Sequence, residues 1–576
     1  MTDARPLGDR VWLTRYPPSV PHSLDLPPKL LPEVIEEAVK RWPDRAALIY
    51  YGAKWSYRRL WEESGHFAAA LARDGVGPGD RVAIYLPNCP AYPIALLGIL
   101  RLGAVVVQVS PLYIGQDLVR MLKDSTPKAL VTLEILYPNL AKVRPEFAVP
   151  VLYVARLREL YPFWTRPFVN MVLKRRGIPT AYPRDDPTVR PWTWTVHYRG
   201  SFPEFHGDPA TSVAVLQYTG GTTGVPKAAM LTHRNLFANL LQINAWNTRR
   251  KSGEEVLLAS IPFFHIYALT VALLAGLADG ATIVIQTRPD VPELLKLMDR
   301  YAPTQFPGVP ALYTAFNQTP GIEKHKIHSI KFCVSGSAPL PVEVARRFEE
   351  LTGGTLIEGY GLSETSPVTH VNPTEGERRA GSIGIPVPDT DQRIVDAETG
   401  TRVLAVGEVG ELAVYGPQVM LGYYHNEAET AMVLRDGWFR TGDIARIDAD
   451  GFAYIVDRKK DTINVGGMKL YPREVEEVLY QHPAIAEAAA IGVPDAGHGE
   501  VVKAFVVLKP GIPATESELI AFVRERIAHY KAPRTIEFRT SLPRSGVQKV
   551  LRRVLKEESI AATSAAPAGA PTSPVR

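Results

Sequence analysis

The residues of this 576-residue chain with the most evident chemistry are Tyr218-Thr-Gly-Gly-Thr-Thr-Gly-Val-Pro-Lys227. Gly220, Gly221 and Gly224 let the backbone turn tightly and offer N–H groups to an anion. Thr219, Thr222 and Thr223 add hydroxyl donors, and Lys227 adds a positive charge. The pattern predicts an apolar strand before this stretch and a helix after it, a setting that suits a triphosphate. It is not a Walker A loop: Pro226 precedes Lys227 and Ala228 follows it, where that motif needs Gly-Lys-Ser/Thr. Three or four such residues would read as an ordinary Gly/Thr turn. Ten in a row, followed by Met230-Leu-Thr-His233, single out phosphate binding.

A second group is Glu358-Gly-Tyr-Gly-Leu-Ser-Glu364. Tyr360 can stack on a purine, Ser363 can donate to a phosphate oxygen, and Glu364 is a hard oxygen ligand suited to Mg²⁺. Alone, the segment also reads as a Gly-rich loop. A third is Thr441-Gly-Asp443, whose carboxylate can accept from both hydroxyls of a ribose, with Arg458 able to reach ribose or phosphate; alone, Thr-Gly-Asp is a turn. A fourth is the basic run Leu542-Pro-Arg-Ser-Gly-Val-Gln-Lys-Val-Leu-Arg-Arg553, which includes Lys549 and alone reads as a solvated face.

The phosphate loop resembles that of the adenylate-forming superfamily: acyl-CoA synthetases, luciferases and the adenylation domains of peptide synthetases. From Leu216 through His233-Arg-Asn-Leu it is similar, more narrowly, to the long-chain fatty acyl-CoA synthetases, and the likeness extends over about residues 30–558. The resemblance implies that ATP, Mg²⁺ and coenzyme A serve the reaction. It places the nucleotide on Thr219, Gly220, Gly221, Thr222, Thr223, Gly224 and Lys227. The adenine lies against Gly336, Ser337 and Ala338 and against Glu358, Gly359, Tyr360 and Ser363. Glu364, with Thr219, takes the metal; Asp443 and Arg458 take the ribose. Lys549 becomes the catalytic lysine, joined by Glu364 and by His265 of Ile261-Pro-Phe-Phe-His-Ile-Tyr267 at the acyl site. Lys460 becomes the hinge of a small domain, and Gly466-Gly467 the lining of the pantetheine channel, where glycines let a thiol approach. Two positions depart from the family: Ser363 stands where Thr is usual and keeps the hydroxyl, and Gln548 stands where Gly is usual and stiffens the loop before Lys549.

The implied activity is ATP-dependent ligation of a fatty acid to coenzyme A through an acyl-adenylate, on medium- to long-chain acids. No Gly-x-Ser-x-Gly elbow competes with that route. The rivals are an aryl- or other carboxylate-CoA ligase, an acyl-AMP ligase, and a non-catalytic lipid- or nucleotide-binding homologue. Loss of Lys549 or Glu364 would favour the last, and both are present.

These groups need elements to hold them. Residues 30–41 have helical apolar spacing, 47–51, 81–86 and 104–109 read as strands, and 91–102 as a helix. The rhythm returns at 212–216, 234–244, 256–260 and 281–286, so the fold class is α/β, with two similar α/β layers before residue 330. From about residue 381 short strands such as 410–415 suggest a small β-rich subdomain. After 458 comes a mobile α+β domain: helix 472–481, strands 486–492 and 502–508, helix 516–527. The expected domains are 1–457 and 458–560, with an Ala/Pro/Ser-rich disordered tail at 561–576.

A net charge of +5 is small for 576 residues and gives no argument for nucleic acid, which is expected to be no partner. Two cysteines, Cys89 and Cys333, make neither a disulfide framework nor a metal motif and point to a reducing compartment, the cytoplasm. Residues 1–27 lack the apolar core of a signal peptide, and the apolar stretch at 92–109 is too short and too interrupted to span a membrane. Residues 164–176 mix Trp, Phe, Val and Leu with Arg166, Lys174, Arg175 and Arg176. The mixture reads either as an interfacial segment, giving peripheral contact with the inner membrane surface, or as a surface helix of the large domain. A homodimer is among the expected partners, beside the small-molecule substrates.

Overall fold

A computed structural model describes residues 10–565, apart from 181, 184, 220–226, 496–497 and 545–549. The chain forms two compact units: Met1–Gln392 with Val414–Phe439 and Ala449–Phe452, and Arg393–Ala413 with Arg440–Asp448 and Ala453–Arg576.

In the first unit the strands Arg81–Tyr85, Val105–Gln108, Ala129–Leu133 and Val151–Ala155 are apolar runs paired in parallel, as strands covered on both faces must be. The helix Ala91–Arg101 buries every residue but its last, and an all-round apolar surface makes it a core helix. The strand rhythm read from the sequence is present, but its division into layers is different. Val213–Thr219 joins the first sheet, pairing in parallel with Val105–Gln108 (Val106 opposite Val215). Ala46–Tyr50 leaves that sheet and pairs in parallel with Thr282–Ile285 (Leu48 opposite Ile283). The result is an eight-stranded sheet, and a four-stranded one made by Ala46–Tyr50, Ala53–Ser56, Val256–Ala259 and Thr282–Ile285. Apolar periodicity fixes which residues are strands, whereas the partner across the ladder is a long-range choice with no local signature. A second four-stranded sheet contains Phe332–Ser335 paired in parallel with Thr355–Gly361.

The helix expected directly after the phosphate loop is displaced. A strand, Lys227–Thr232, comes first and pairs antiparallel with Val213–Thr219, and the helix His233–Trp246 starts only after it, capped by the Thr232 side chain. Ala228, Ala229 and Leu231 are buried, which explains why this stretch prefers a sheet position. The two strands that flank residues 220–226 are thus neighbours in one antiparallel ladder, with the helix one strand further on.

Five short strands make the β-rich sheet expected after residue 381: Asp391–Val395, Gly410–Tyr415, Leu434–Arg435, Trp438–Ile447 and Ala453–Arg458. Antiparallel pairing of residues 443–447 with 453–458 carries this hairpin into the second unit, which thus begins earlier than the boundary read at residue 458. The rest of that unit is α+β. A sheet of Ile463–Val465, Met468–Leu470, Ile485–Asp495, Gly499–Leu508 and Thr535–Phe538 carries the helices Pro472–Tyr480 and Glu516–Arg524. Ile463, Val475, Leu479, Val502 and Leu519 form its core. The last helix, Arg552–Ala565, corrects the expected tail: residues 561–565 are helical rather than disordered. Leu555 and Ser559 anchor the helix by burial, and Ala-rich sequence propagates it. Residues 566–576 lie outside the described residues.

Candidate active site

The register of the Val213–Thr219 and Lys227–Thr232 hairpin sets Thr219 opposite Lys227. The connecting residues, with Gly220, Gly221, Thr222, Thr223 and Gly224, lie outside the described residues. Lys227 forms an ion pair with Glu429. Glu429 sits in the first turn of the helix Glu427–Val433, where its N–H donates to the Asn426 side chain. The Lys227 ammonium also lies 5.8 Å from the centroid of the Tyr423 ring. Tyr423 pairs with Ala229 across the adjacent ladder. Its hydroxyl donates to Glu364 Oε1 at 2.8 Å. Burial, and then Glu364 itself, hold the Tyr423 phenol far above its ordinary pKa, so it stays a donor. Glu364 is buried in the turn Ser363–Thr365, which packs against both strands of the phosphate hairpin. Lys227 and Glu364 are thus linked through Tyr423, and Glu429 holds the lysine from the other side. Neither residue was singled out in the sequence, where both look like ordinary surface-strand and helix positions.

Among the described residues no group of three or more His, Cys, Asp or Glu could hold a metal. Mg²⁺ that travels with a triphosphate needs only one or two carboxylates, the phosphates and waters completing the shell. Glu364, buried and packed against the strands that carry the phosphate loop, fits that demand. The Thr219 hydroxyl, the other expected ligand, instead faces the Lys227 carbonyl at 3.5 Å.

The adenine-side residues come together by strand pairing. Ser335 opposes Glu358 in a parallel ladder, so Gly336, Ser337 and Ala338 leave one strand beside Glu358, Gly359 and Tyr360 of the next. Gly336 N–H donates to Gly308 O at 3.2 Å, and Leu340 N–H donates to Glu358 Oε2 at 3.2 Å, which fixes the turn. Tyr360 is half-buried, its ring at a T-shaped angle to His370 with centroids 5.9 Å apart. Gly361 is obligatory, since a Cβ there would sit 1.8 Å from the Pro367 carbonyl oxygen.

His265 is half-buried just before a fully buried π-helix, Ala268–Leu274, a helix form frequent at functional sites. Its segment is clamped by residues that the sequence did not mark. Asn88 donates to Ile261 O at 2.8 Å and accepts from Phe263 N–H at 2.7 Å, and Tyr92 OH donates to Phe263 O at 2.9 Å. Gln217, on the strand entering the phosphate loop, donates to Phe264 O at 3.3 Å. Their only sequence signal is polarity inside otherwise apolar runs. Beyond the π-helix lies a pocket walled by Leu257, Val271, Gly276, Phe332 and Val334, with the Arg250–Asp279 ion pair (2.6 Å) among its lining. Tyr267 OH donates to Val334 O at 2.7 Å and joins the His265 segment to that wall.

In the second unit Asp443 and Arg458 are opposite each other in the antiparallel ladder, with Arg458 Nε 3.1 Å from Asp443 Oδ1. Gly442 takes φ +72°. Its N–H donates to Glu411 Oε1 at 3.1 Å, and Asp443 N–H donates to Thr441 Oγ1 at 3.1 Å, so the turn aims a buried carboxylate. Lys460 lies in the short turn Lys459–Asp461. Gly466 and Gly467 are the two central residues of a hairpin in which Val465 opposes Met468; both have positive φ, +59° and +85°, and open space around them. A two-residue hairpin of the primed type demands this backbone, so the turn alone accounts for both glycines. Lys549 lies outside the described residues. Arg552, three positions on, was not read from the sequence. It is held by Glu476 (2.7 Å), Asp461 (3.1 Å) and Asp457 (3.4 Å), the last two flanking Arg458–Lys460.

Fold and site together define an enzyme with a carboxylate and a lysine at the foot of one Gly/Thr-rich hairpin. The chain belongs to the AMP-binding enzyme family, whose profile matches residues 35–424, and the profile of the AMP-binding enzyme C-terminal domain matches residues 474–549. A long-chain-fatty-acid–CoA ligase of Bacillus subtilis (strain 168) is 44% identical over 96% of this chain and 98% of its own. One of Escherichia coli O157:H7 is 40% identical over the same shares. Among solved structures, the anthranilate CoA ligase AuaEII in complex with anthranoyl-AMP is similar with TM-score 0.81 and 25% identity, over 94% of this chain and 99% of that one. ATP-bound MatB from Rhodopseudomonas palustris is similar with TM-score 0.77 and 29% identity, over 92% and 98%.

Proposed function

We propose that the chain activates medium- to long-chain fatty acids with ATP and passes the acyl group to coenzyme A. It is an AMP-forming acid–thiol ligase. The observation that carries the reading is the chain of contacts Glu364–Tyr423–Lys227–Glu429 at the ends of the phosphate hairpin. It supports a reading in which Glu364 serves the metal and Lys227 the triphosphate. The relatives named above, at 40–44% identity over nearly the whole chain, are long-chain-fatty-acid–CoA ligases.

The chemistry runs in two halves. A fatty carboxylate oxygen attacks the α-phosphorus of ATP, a P–O bond forms, and the bond to the β-phosphate breaks to release pyrophosphate. The loop residues 219–224 and Lys227 hold the phosphates, so the nucleophile meets a positioned electrophile. Bound Mg²⁺, held by Glu364, would neutralise phosphate charge. Lys549 offsets the negative charge of the α-phosphate oxygens as the carboxylate approaches and attacks. Asp443 and Arg458 hold the ribose, and Gly336–Ala338 with Tyr360 hold the adenine. His265 stands at the acyl carboxylate. In the second half the coenzyme A sulfur, having lost its proton, attacks the acyl carbon, and the C–O bond to AMP breaks. Residues 458–560 turn about Lys460 between the halves and bring Gly466-Gly467 to the thiol's path.

The test is pyrophosphate release against a series of acids from short to long. Decanoate and palmitate should be turned over faster than acetate or coumarate. Release with coumarate or acetate and none with palmitate or decanoate would sink the fatty-acid reading.

A further inference from the structure

Gln392 is a buried amide that the two half-reactions leave unused. It bridges two elements of the first unit. Its Nε2 donates to Gly451 O at 2.7 Å, and its Oε1 lies 2.9 Å from His370 Nε2. His370 Nδ1 in turn lies 2.9 Å from the Thr369 hydroxyl, and the imidazole packs at a T-shaped angle against Tyr360. His370 and Thr369 are buried as completely as a side chain can be.

The donors of this relay run in one direction. A carbonyl oxygen can only accept, so Gly451 O decides which end of the Gln392 amide faces it. The Gln392 oxygen then faces His370, so Nε2 carries the imidazole proton and Nδ1 accepts from the Thr369 hydroxyl. In the reverse set Thr369 would donate to Tyr360 O, at 3.4 Å, and the Gln392 oxygen would be turned onto the Gly451 oxygen. A doubly protonated imidazole is excluded as well, since burial holds the His370 pKa down at about 4. A buried polar network with a single arrangement fixes the parts that it joins.

Both ends of the relay bear on the nucleotide. At one end is Tyr360, read as the ring that faces adenine, and an edge-to-face pair sets the angle of a ring as well as its place. At the other end is Gly451, in the turn between Trp438–Ile447 and Ala453–Arg458, and the far end of that ladder sets Asp443 opposite Arg458. The turn is pinned. Buried Trp12 lies over Gly451, where φ is +88° and an added Cβ would come within 2.7 Å of the Trp12 Cβ, so only glycine fits. Asp450 accepts from Arg15 at one oxygen and from Arg379 at the other.

We propose that Gln392 and His370 are positioning residues for the nucleotide, tying the ring that faces adenine to the turn of the hairpin that carries the ribose contacts. The proposal rests on the reading of Tyr360 and Asp443 as those contacts. With the relay intact the Asp443 carboxylate is held at the ribose hydroxyls; with it cut, the hairpin loses its bond to the adenine side and the carboxylate drifts from them.

The experiment is calorimetric titration of the full-length protein with Mg²⁺–ATP and with Mg²⁺–2′-deoxyATP. A hydroxyl donating to a carboxylate makes a charge-assisted hydrogen bond, so the wild type should bind ATP about tenfold more tightly than the 2′-deoxy nucleotide. Gln392→Leu cuts the relay. His370→Phe/Gln392→Leu cuts it too, but keeps a ring against Tyr360 and leaves no imidazole N–H unpaired. In both variants ATP affinity should fall to within about twofold of that for 2′-deoxyATP, because the bond to the hydroxyl is what is lost. A relay that only supports the fold would lower the urea midpoint and leave the ratio of the two affinities unchanged, and that result overturns the proposal. Failure of both variants to fold overturns it equally, since the relay would then be structural. Asp443→Ala tests the reading underneath. If Asp443→Ala loses the ratio and the relay variants keep it, the ribose reading stands and the proposal falls. If Asp443→Ala keeps the ratio and the relay variants lose it, the relay stands and the ribose assignment of Asp443 falls. A wild type indifferent to the 2′-hydroxyl removes both.

Discussion

Glu364 and Lys227 carry opposite charges at the foot of one hairpin, and Tyr423 stands between them. The Tyr423 hydroxyl gives Glu364 a hydrogen bond of 2.8 Å from a phenol that burial keeps protonated. Tyr423→Phe removes that bond alone. It should cost about 1–2 kcal/mol of stability and, by letting Glu364 rotate, should raise several-fold the Mg²⁺ concentration that half-saturates ATP–pyrophosphate exchange. An unchanged Mg²⁺ dependence would show that Tyr423 does not position the carboxylate. A second residue-level effect concerns buried histidines. Burial lowers His370, against a hydrogen bond to Gln392 that raises it, to a pKa of about 4, and burial lowers His233 to about 4. His370 is neutral in the fold: Nε2 donates to Gln392 Oε1 and Nδ1 accepts from the Thr369 hydroxyl, each at 2.9 Å. The unfolded chain takes its protons first, near pH 6.5, so the stability held by each neutral imidazole is complete above about 6.5 and is lost as pH falls towards 4. The loss is about 3 kcal/mol per histidine. Urea midpoints measured down that window should fall for the wild type and fall less for His370→Gln; parallel curves would refute the assignment. These partnerships also mark the limit of reading residues from sequence. Gly220 to Lys227 stand out in the sequence because the motif's residues are adjacent. Glu429 pairs with Lys227 across 202 positions and Asn88 with Ile261 across 173, and only the fold brings them together.

Elements were legible wherever one period dominates. The helices at 31–41, 91–101 and 472–480 and the strands at 81–85 and 410–415 start and stop close to where spacing, Gly and Pro place them. What spacing does not carry is the pairing of strands. Ala46–Tyr50 and Val213–Thr219 went to the opposite sheets from those their sequence neighbours suggested, and the strand Lys227–Thr232 was hidden between a motif and a helix. The Gly466-Gly467 hairpin was noticed as chemistry although its backbone alone demands both glycines. Arg552 is the converse case: a residue in a run that looks like a solvated face, yet bonded to Glu476, Asp461 and Asp457. It ties the start of the last helix to the chain on either side of Arg458–Lys460. Burial raises the Glu476 pKa and Arg552 opposes that rise, so removing the guanidinium leaves a buried carboxylate with no counter-charge. Arg552→Met should therefore destabilise the second unit by about 3 kcal/mol, seen as an earlier urea transition. A midpoint within error of the wild type would mean that the cluster is adequately solvated and that the tether carries no load.

At the scale of the whole molecule the question is how one active site serves two reactions. Lys549 belongs to the first half in the reading above, and Gly466-Gly467 to the second. Both lie within residues 458–560, which are proposed to turn about Lys460 between the halves, a conformational step of the lid kind. Two lesions in that region should then have opposite effects. Lys549→Ala removes a charge used only while the acyl-adenylate forms, so it should cripple ATP–pyrophosphate exchange and spare thioester formation from synthetic acyl-AMP. Gly467→Leu puts a branched side chain at φ +85° in a hairpin turn with open space around it. It strains the turn and obstructs the thiol's path, so it should leave exchange largely intact and depress acyl-CoA formation. Lys460→Pro fixes φ at the pivot and should lose one half-reaction selectively. Exchange and acyl transfer from acyl-AMP, measured side by side on the three variants, decide the matter. Selective, opposite losses require that the same site be served in turn by different faces of one mobile segment. If Lys549→Ala and Gly467→Leu depress both halves equally, the segment does not alternate in this chain. Gln548 would then be the first position to revert, since Gln548→Gly restores the backbone freedom that the family places before its lysine.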